Sequence, residues 1–388
     1  MMHDRLSRRE FAALLAGGAA VAFAPRALHA SMLAGRAPGA ERWPGYGRAI
    51  VIDCLATPGP FNVPEMFAAP WTDVMVANAR ASGLTAVNVT VNGAGPTGAA
   101  AFETTVRALA FLQREIAVHP DVFVPVRTAG DITRAKENAR LGLIAGFQDA
   151  TMLESDLSRV ELFHQMGVRV IQLTYNVRNL LGDGCLEPGN AGLSAFGRDV
   201  VGRMNELGML VDLSHCGRRT TTDAIAASTM PTAITHSGCA SLADLPRNKT
   251  DDQLRQLAEK GGVVGIYLMP FLRVAGQPVL EDVVRHIEHA VRVCGEDHVG
   301  IGSDNSITPL ALTPEFRALH ASFVRQRRQR GISAPGEAED VFNYVPDLNT
   351  PRRLDQIADA LAARNHSSDR IEKILGRNWM RVFTETWK

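Results

Sequence analysis

Two histidines stand 21 residues apart, each closing a short apolar run: Leu-Val-Asp-Leu-Ser-His ends on His215 and Pro-Thr-Ala-Ile-Thr-His on His236. Imidazole is both the commonest nitrogen ligand for a divalent metal and a proton-transfer group near neutral pH. A lone histidine at a strand end reads as a packed core residue; a matched pair reads as half of a metal or catalytic site. Between them, residues 218–228 carry a helical pattern with Ala224, Ile225 and Ala227 apolar, so Met209 to Cys239 reads as one βαβ unit. Adjacent parallel strands bring their carboxyl ends together, which predicts two imidazoles facing one another across a shared pocket. Cys216 and Cys239 lie beside the histidines and read as buried small hydrophobes.

The elements that must position such a pair are visible as apolar, β-branched runs separated by helical patterns. They fall at 49–55, 85–91, 143–147, 168–173, 209–213, 232–234, 263–268 and 299–301. Continuous apolar strands alternating with helices imply a parallel sheet covered on both faces, and eight of them favour a closed (β/α)8 TIM-like barrel with inserted loops. A ninth run at 122–126 is read as an added strand. No Gly-x-Gly-x-x-Gly follows the first strand and no Walker motif occurs, which argues against dinucleotide and nucleotide binding. Two pieces rich in Gly, Pro and Asn, 176–193 and 308–348, read as irregular; the first follows a strand end and is an expected active-site loop.

The first 30 residues read as an address and not as structure. Ser7-Arg8-Arg9-Glu10-Phe11 precedes an apolar run of 13 residues, Ala12 to Ala24, and Ala27-Leu28-His29-Ala30 ends it with a small-residue cleavage pattern. This is the layout of a twin-arginine export signal, and the run is short of the roughly 20 residues a spanning helix needs. The expectation is a single barrel domain over 31–388 in the periplasm, with no membrane span after cleavage. Residues 1–30 hold Arg5, Arg8, Arg9 and Arg26 against Asp4 and Glu10, which leaves 37 basic and 39 acidic residues of the original 41 and 41. That balance gives no support for a nucleic-acid partner. The five cysteines are odd in number and show no CxxC spacing, so at least one thiol stays free in an oxidising compartment.

Several collinear motifs carry a resemblance. Gly208 to His215 reads Gly-Met-Leu-Val-Asp-Leu-Ser-His, and it is followed by Thr-His-Ser at 235–237, Pro-Arg-Asn at 246–248 and Gly-Ile-Gly-Ser-Asp at 300–304. Met-Gly-Val-Arg-Val-Ile-Gln-Leu-Thr-Tyr-Asn at 166–176 and Ile-Leu-Gly-Arg-Asn at 374–378 complete the set. From Ile50 to the carboxyl terminus the chain resembles the renal or membrane dipeptidase family, metal-dependent barrels that usually hold two zinc ions and hydrolyse dipeptides. The resemblance implies that His215 and His236 ligate one zinc, that Asp304 works on the attacking water, and that Arg247, with Asn248 beside it, binds the substrate carboxylate.

The chain departs from the family at named positions. The family's first strand ends Asp-x-His-x-Asp; here Asp53 is kept and the two ligand positions are Leu55 and Thr57. The bridging glutamate falls at Gln148, and the histidine that assists the substrate falls at Tyr175. Three of five ligands are therefore absent, and a leucine and a threonine cannot replace an imidazole and a carboxylate, so one metal position is lost. Leu55 and Thr57, two residues apart on one strand, are expected to project toward the histidines. Asp149 and Cys54, each one residue from a ligand position, are expected to face away. The expected function is hydrolysis of a peptide or amide bond in a small carboxylate-bearing substrate by one divalent ion on His215 and His236, with the amide oxygen of Gln148 or Asp304 as third ligand. Asp304 would take the water's proton and Tyr175 would donate to the oxyanion. The alternative is an inactive or repurposed barrel that acts as a periplasmic peptide-binding or maturation factor. The sequence leaves the oligomeric state open, a homodimer included.

Overall fold

Strands form where the β-branched runs were read, and the computed structural model describes residues 42–61, 66–92 and 99–388. The proposed export signal lies outside the described residues. Eight parallel strands close into a barrel: β1 (Ile52–Asp53), β3 (Ala86–Thr90), β5 (Leu141–Phe147), β6 (Val168–Gln172), β7 (Leu210–Asp212), β8 (Ala233–Ser237), β9 (Val263–Ile266) and β10 (Val299–Ile301). Closure comes from β3 pairing with both β1 and β5. β4 (Phe123–Pro125) pairs only with the start of β5 and is the added strand.

Alternation along the strands sorts the apolar side chains into two layers. Val87, Leu143, Val211, Ile234 and Val264 pack in one cluster with the surrounding helices. Their neighbours Ile52, Ala86, Ile144, Val170, Leu210, Ala233 and Val263 pack in a second cluster with Trp379, Val382, Phe383 and Trp387. The last helix, Asn378–Thr386, thus packs on the barrel's inward apolar layer, with Trp379 Nε1 donating to the Ile301 carbonyl at 3.1 Å.

Two readings of the sequence need correction. The segment 308–348 is not irregular throughout: Pro314–Gln329 is a helix capped by Thr313, whose hydroxyl accepts the Phe316 N–H. Its arginine-rich composition hid the period. The first strand is also shorter than the run 49–55 and ends at Asp53. There Asp53 Oδ1 accepts the Leu55 N–H, the chain turns, and β2 (Ala56–Thr57) pairs with β11 (Asn305–Ser306) above the barrel. Leu55 and Thr57 are not a continuation of β1, and Thr57 Oγ1 accepts the Gly59 N–H.

The loop that carries Arg247 is held at its far end by a capped helix. Thr250 Oγ1 accepts the Gln253 N–H at 3.3 Å while Gln253 Oε1 accepts the Thr250 N–H at 2.9 Å, the reciprocal box that starts Asp251–Glu259. Thr250→Ala is expected to lower stability by about 0.5–2 kcal/mol in a urea titration, and an unchanged midpoint would remove this cap from the account.

Candidate active site

The site is built at the carboxyl ends of β5 to β10, and Asp212 is its organising group. Its Oδ1 accepts the N–H groups of Ser214 (3.1 Å) and Thr235 (2.9 Å), and its Oδ2 accepts the Thr235 hydroxyl at 2.7 Å. One carboxylate therefore ties the end of β7 to β8 and fixes both histidine-bearing segments. No role was read for it in the sequence. The signal was its place within Val-Asp-Leu-Ser-His, a buried charge in an otherwise apolar strand.

His215 and His236 face one another with ring centroids 5.0 Å apart, as the βαβ reading requires. Asn176 donates its amide N–H to the Ile332 carbonyl at 2.9 Å, which turns Oδ1 toward His215 Nδ1 at 2.6 Å. Nδ1 of His215 is thereby the protonated nitrogen, and its buried Nε2 is left with no hydrogen-bond partner. On His236, Nδ1 lies 2.8 Å from the Thr235 hydroxyl, which spends its own proton on Asp212, so Nε2 again carries the lone pair. Burial, and then the nearby Arg247 charge, hold both rings well below the usual histidine range, hence neutral. Tyr175 stacks on His215 at 4.2 Å and 21°.

Asp304 follows β10 in the left-handed region, φ 60°, with its N–H donating to the Leu55 carbonyl at 2.8 Å. The glycine before it is forced: a Cβ on Gly302 would lie 1.9 Å from the Thr235 carbonyl oxygen. Burial raises the Asp304 carboxyl to about 7, against the opposing pull of Arg247. Asp53 stays as a support, its Oδ1 accepting the Ser303 N–H at 2.7 Å.

Arg247 is buried, with Nη1 donating to the Ser214 carbonyl at 2.8 Å and its Nη2 unpartnered. Its guanidinium lies near the rings of Tyr267 and Phe271, and the adjacent Cys185 thiol, which burial keeps protonated, is a poor acceptor. Arg247, His215, Asp304 and Tyr175 line one recess of about 20 Å³, so the structure brings together these four predicted residues. Asn248 is not among them. Its amide N–H groups go to the Ala243 and Phe271 carbonyls and its Oδ1 accepts the Tyr267 hydroxyl, which makes it a brace for the loop.

The same recess has a wall that the sequence reading missed. Arg327, from the helix 314–329, is held by both oxygens of Glu337 at 2.8 Å and points Nη1 toward the Tyr175 hydroxyl at 3.5 Å. Asp149, expected to face away, does so: its carboxylate accepts the Ala150 N–H, the Asn179 amide and the Thr151 hydroxyl. All five cysteines are unpaired thiols.

Whether these residues suit a metal can be judged from their donor atoms. Two neutral imidazoles with Nδ1 spoken for suit a divalent ion; His215 Nε2 has no partner and His236 Nε2 meets the Gln148 amide nitrogen. Among the described residues no three His, Cys, Asp or Glu side chains group as an ion site. The expected third ligand is Asp304 or the Gln148 amide oxygen, and at Gln148 the expected geometry is reversed. Gln148 directs its amide nitrogen, not its oxygen, at His236 Nε2 (3.4 Å) and Asp304 Oδ1 (3.3 Å). A half-turn of that amide would present Oε1, so the set fits one ion. Leu55 and Thr57 offer neither an imidazole nor a carboxylate to a second ion.

Comparison with known proteins places this geometry in context. A family model described as membrane dipeptidase, peptidase family M19, matches residues 67–314. An uncharacterized protein in the pqqA 5' region of Klebsiella pneumoniae is 31% identical over 272 residues, covering 67% of this chain and 88% of that protein. Dipeptidase verJ of Clonostachys rogersoniana is 32% identical over 260 residues, and the match spans 65% of either chain. The crystal structure of an amidohydrolase from Pseudomonas aeruginosa superposes with a TM-score of 0.74 at 31% identity, over 88% of this chain and 98% of that one.

Proposed function

The chain belongs to the membrane dipeptidase family of hydrolases, and from that premise we propose that it cleaves a peptide or amide bond in a small carboxylate-bearing substrate with the help of one divalent ion. The observation that carries this reading is a pair of unmet groups in one recess. His215 Nε2 is a buried acceptor without a donor, and Arg247 Nη2 is a buried donor without an acceptor. Burying polar atoms unpaired costs about 1–3 kcal/mol each, so a ligand that pairs with both is favoured here.

Zinc is the family's metal, and His215, His236 and Gln148 would hold one such ion, which would polarise the scissile carbonyl and acidify a bound water. The chain's own groups supply the rest. Arg247 Nη2 pairs with the substrate carboxylate and sets the scissile bond over the histidines. Asp304 accepts the proton of the attacking water and is held in place by the Leu55 carbonyl on its own N–H. Tyr175 receives the Arg327 N–H on its oxygen, which leaves its own proton free for the developing oxyanion. Asn176 keeps His215 in the tautomer that exposes Nε2.

Arg247→Ala is expected to raise KM about 10- to 150-fold for a substrate with a free carboxylate, as loss of a charge-assisted pair worth ~1.5–3 kcal/mol implies. The same substrate with its carboxyl group amidated should lose far less. Equal losses on both would take Arg247 out of the substrate site.

One observation favours a second reading, a peptide-binding barrel without turnover: the Gln148 amide already bridges His236 and Asp304 with its own N–H groups. Turnover of small carboxylate-bearing peptides and amides by the purified chain separates the two. We also propose export by the twin-arginine route. Arg8 and Arg9 changed together to lysine are expected to leave the precursor in the cytoplasm, and undiminished periplasmic accumulation would show another route. Among the described residues no helix is long and apolar enough to cross a membrane.

A further inference from the structure

The recess that holds the reacting groups, about 20 Å³, is too small for a whole substrate, and a second cavity of about 710 Å³ shares Tyr175 as a wall with it. This cavity opens between the loops that follow β5 and β6. Arg247 follows β8 and packs over side chains that follow β9, across the barrel mouth with β7 and His215 between them. A substrate anchored by its carboxylate on Arg247 and crossing His215 therefore runs past Tyr175 into the larger cavity.

The lining says what it would meet there. Tyr175, Val177, Leu180, Leu181 and Ile332 supply an apolar surface. Val177 and Leu180 are 38% and 58% exposed, so part of this apolar surface faces solvent. An ammonium group would need a carboxylate, and both carboxylates in the lining are spent: Asp149 on three hydrogen-bond donors and Glu154 on Arg159 at 2.6 Å.

We propose that this cavity is the subsite for an apolar acyl group on the amino side of the scissile bond, so that the substrate is an N-acyl amino acid and not a free-amine dipeptide. The inference rests on the reading that the recess holds a scissile amide whose carboxylate is on Arg247. In the reaction the acyl C–N bond breaks, the water oxygen joins the acyl carbon, and the protons of the water pass to the released amine and to solvent, giving a fatty carboxylate and a free amino acid.

The test uses the full chain and N-acylglycines with acyl chains of two to ten carbons, with binding measured by calorimetry and cleavage by release of glycine. Affinity is expected to rise about fourfold per added methylene over several steps, the equivalent of ~0.8 kcal/mol each. Leu180→Asp and Val177→Asp should flatten that series while leaving N-acetylglycine binding unchanged; both side chains are exposed, so the fold should survive, as thermal melts would show. A flat series, no binding by any member, an unaltered series in Leu180→Asp, or tighter binding of Leu-Gly than of its N-acyl counterparts would each overturn the subsite. Chain-length-dependent binding without cleavage would keep the subsite and sink the hydrolytic reading. Cleavage of N-acetylglycine without length dependence would do the reverse.

Discussion

Asp304→Asn is expected to lower kcat by roughly 10²- to 10⁴-fold with little change in KM, the range lost when a positioned proton acceptor is removed. Asparagine keeps the size of the side chain and is among the few non-glycine residues that tolerate the left-handed backbone at this position, φ 60°. The Leu55 carbonyl would still accept the main-chain N–H of residue 304, so the segment should not move. What is lost is the acceptor facing the recess beside Arg247 and His215. Substrate binding, which rests on Arg247, should persist in calorimetry. A loss below about tenfold would show that Asp304 is only a strand-end cap, the simpler role for a carboxylate placed there.

The second large effect concerns the histidines. His215→Ala is expected to weaken binding of a divalent ion by well over 100-fold and to abolish measurable turnover, because it removes one of only two imidazoles. His236→Ala should behave alike. Asn176→Ala, which removes the partner of His215 Nδ1, should weaken ion binding by about 10- to 100-fold, the range for a group that orients a metal-ligating ring. Ion affinity by calorimetry, with circular dichroism to verify folding, gives the ranking. If Asn176→Ala matched wild type while His215→Ala lost the ion, the orienting role would fall and the ligand role stand. If His215→Ala kept the ion, the site would lie elsewhere.

Much of the barrel was legible because its strands are short apolar runs at the carboxyl ends of which function collects. His215 and His236 stood out since two imidazoles in matching register are hard to explain as packing. What escaped the sequence were contacts made across long separations. Asp212 acts on Thr235, 23 residues on, and its place in an apolar strand marks it as buried without naming that partner. Arg327 belongs to a helix whose sequence, Pro-Glu-Phe-Arg-Ala-Leu-His-Ala-Ser-Phe-Val-Arg-Gln-Arg-Arg-Gln, offers a weak apolar face. Asn248 was misread by adjacency, since its neighbour Arg247 turns to the recess while its own amide braces Ala243 and Phe271. Leu55 and Thr57 were placed by strand parity, which stops applying once Asp53 caps the strand end. At Gln148 the sequence shows an amide but not its orientation: an amide can offer a donor or an acceptor, and in this structure the donor faces His236.

The central claim is that the two histidines and Gln148 make a site for one ion where the family ordinarily has two. Elemental analysis of the full chain, purified after growth with ample zinc, tests it most directly. The account predicts about one divalent ion per chain, absent from His215→Ala. Two tightly held ions, or none in a folded chain, would contradict it.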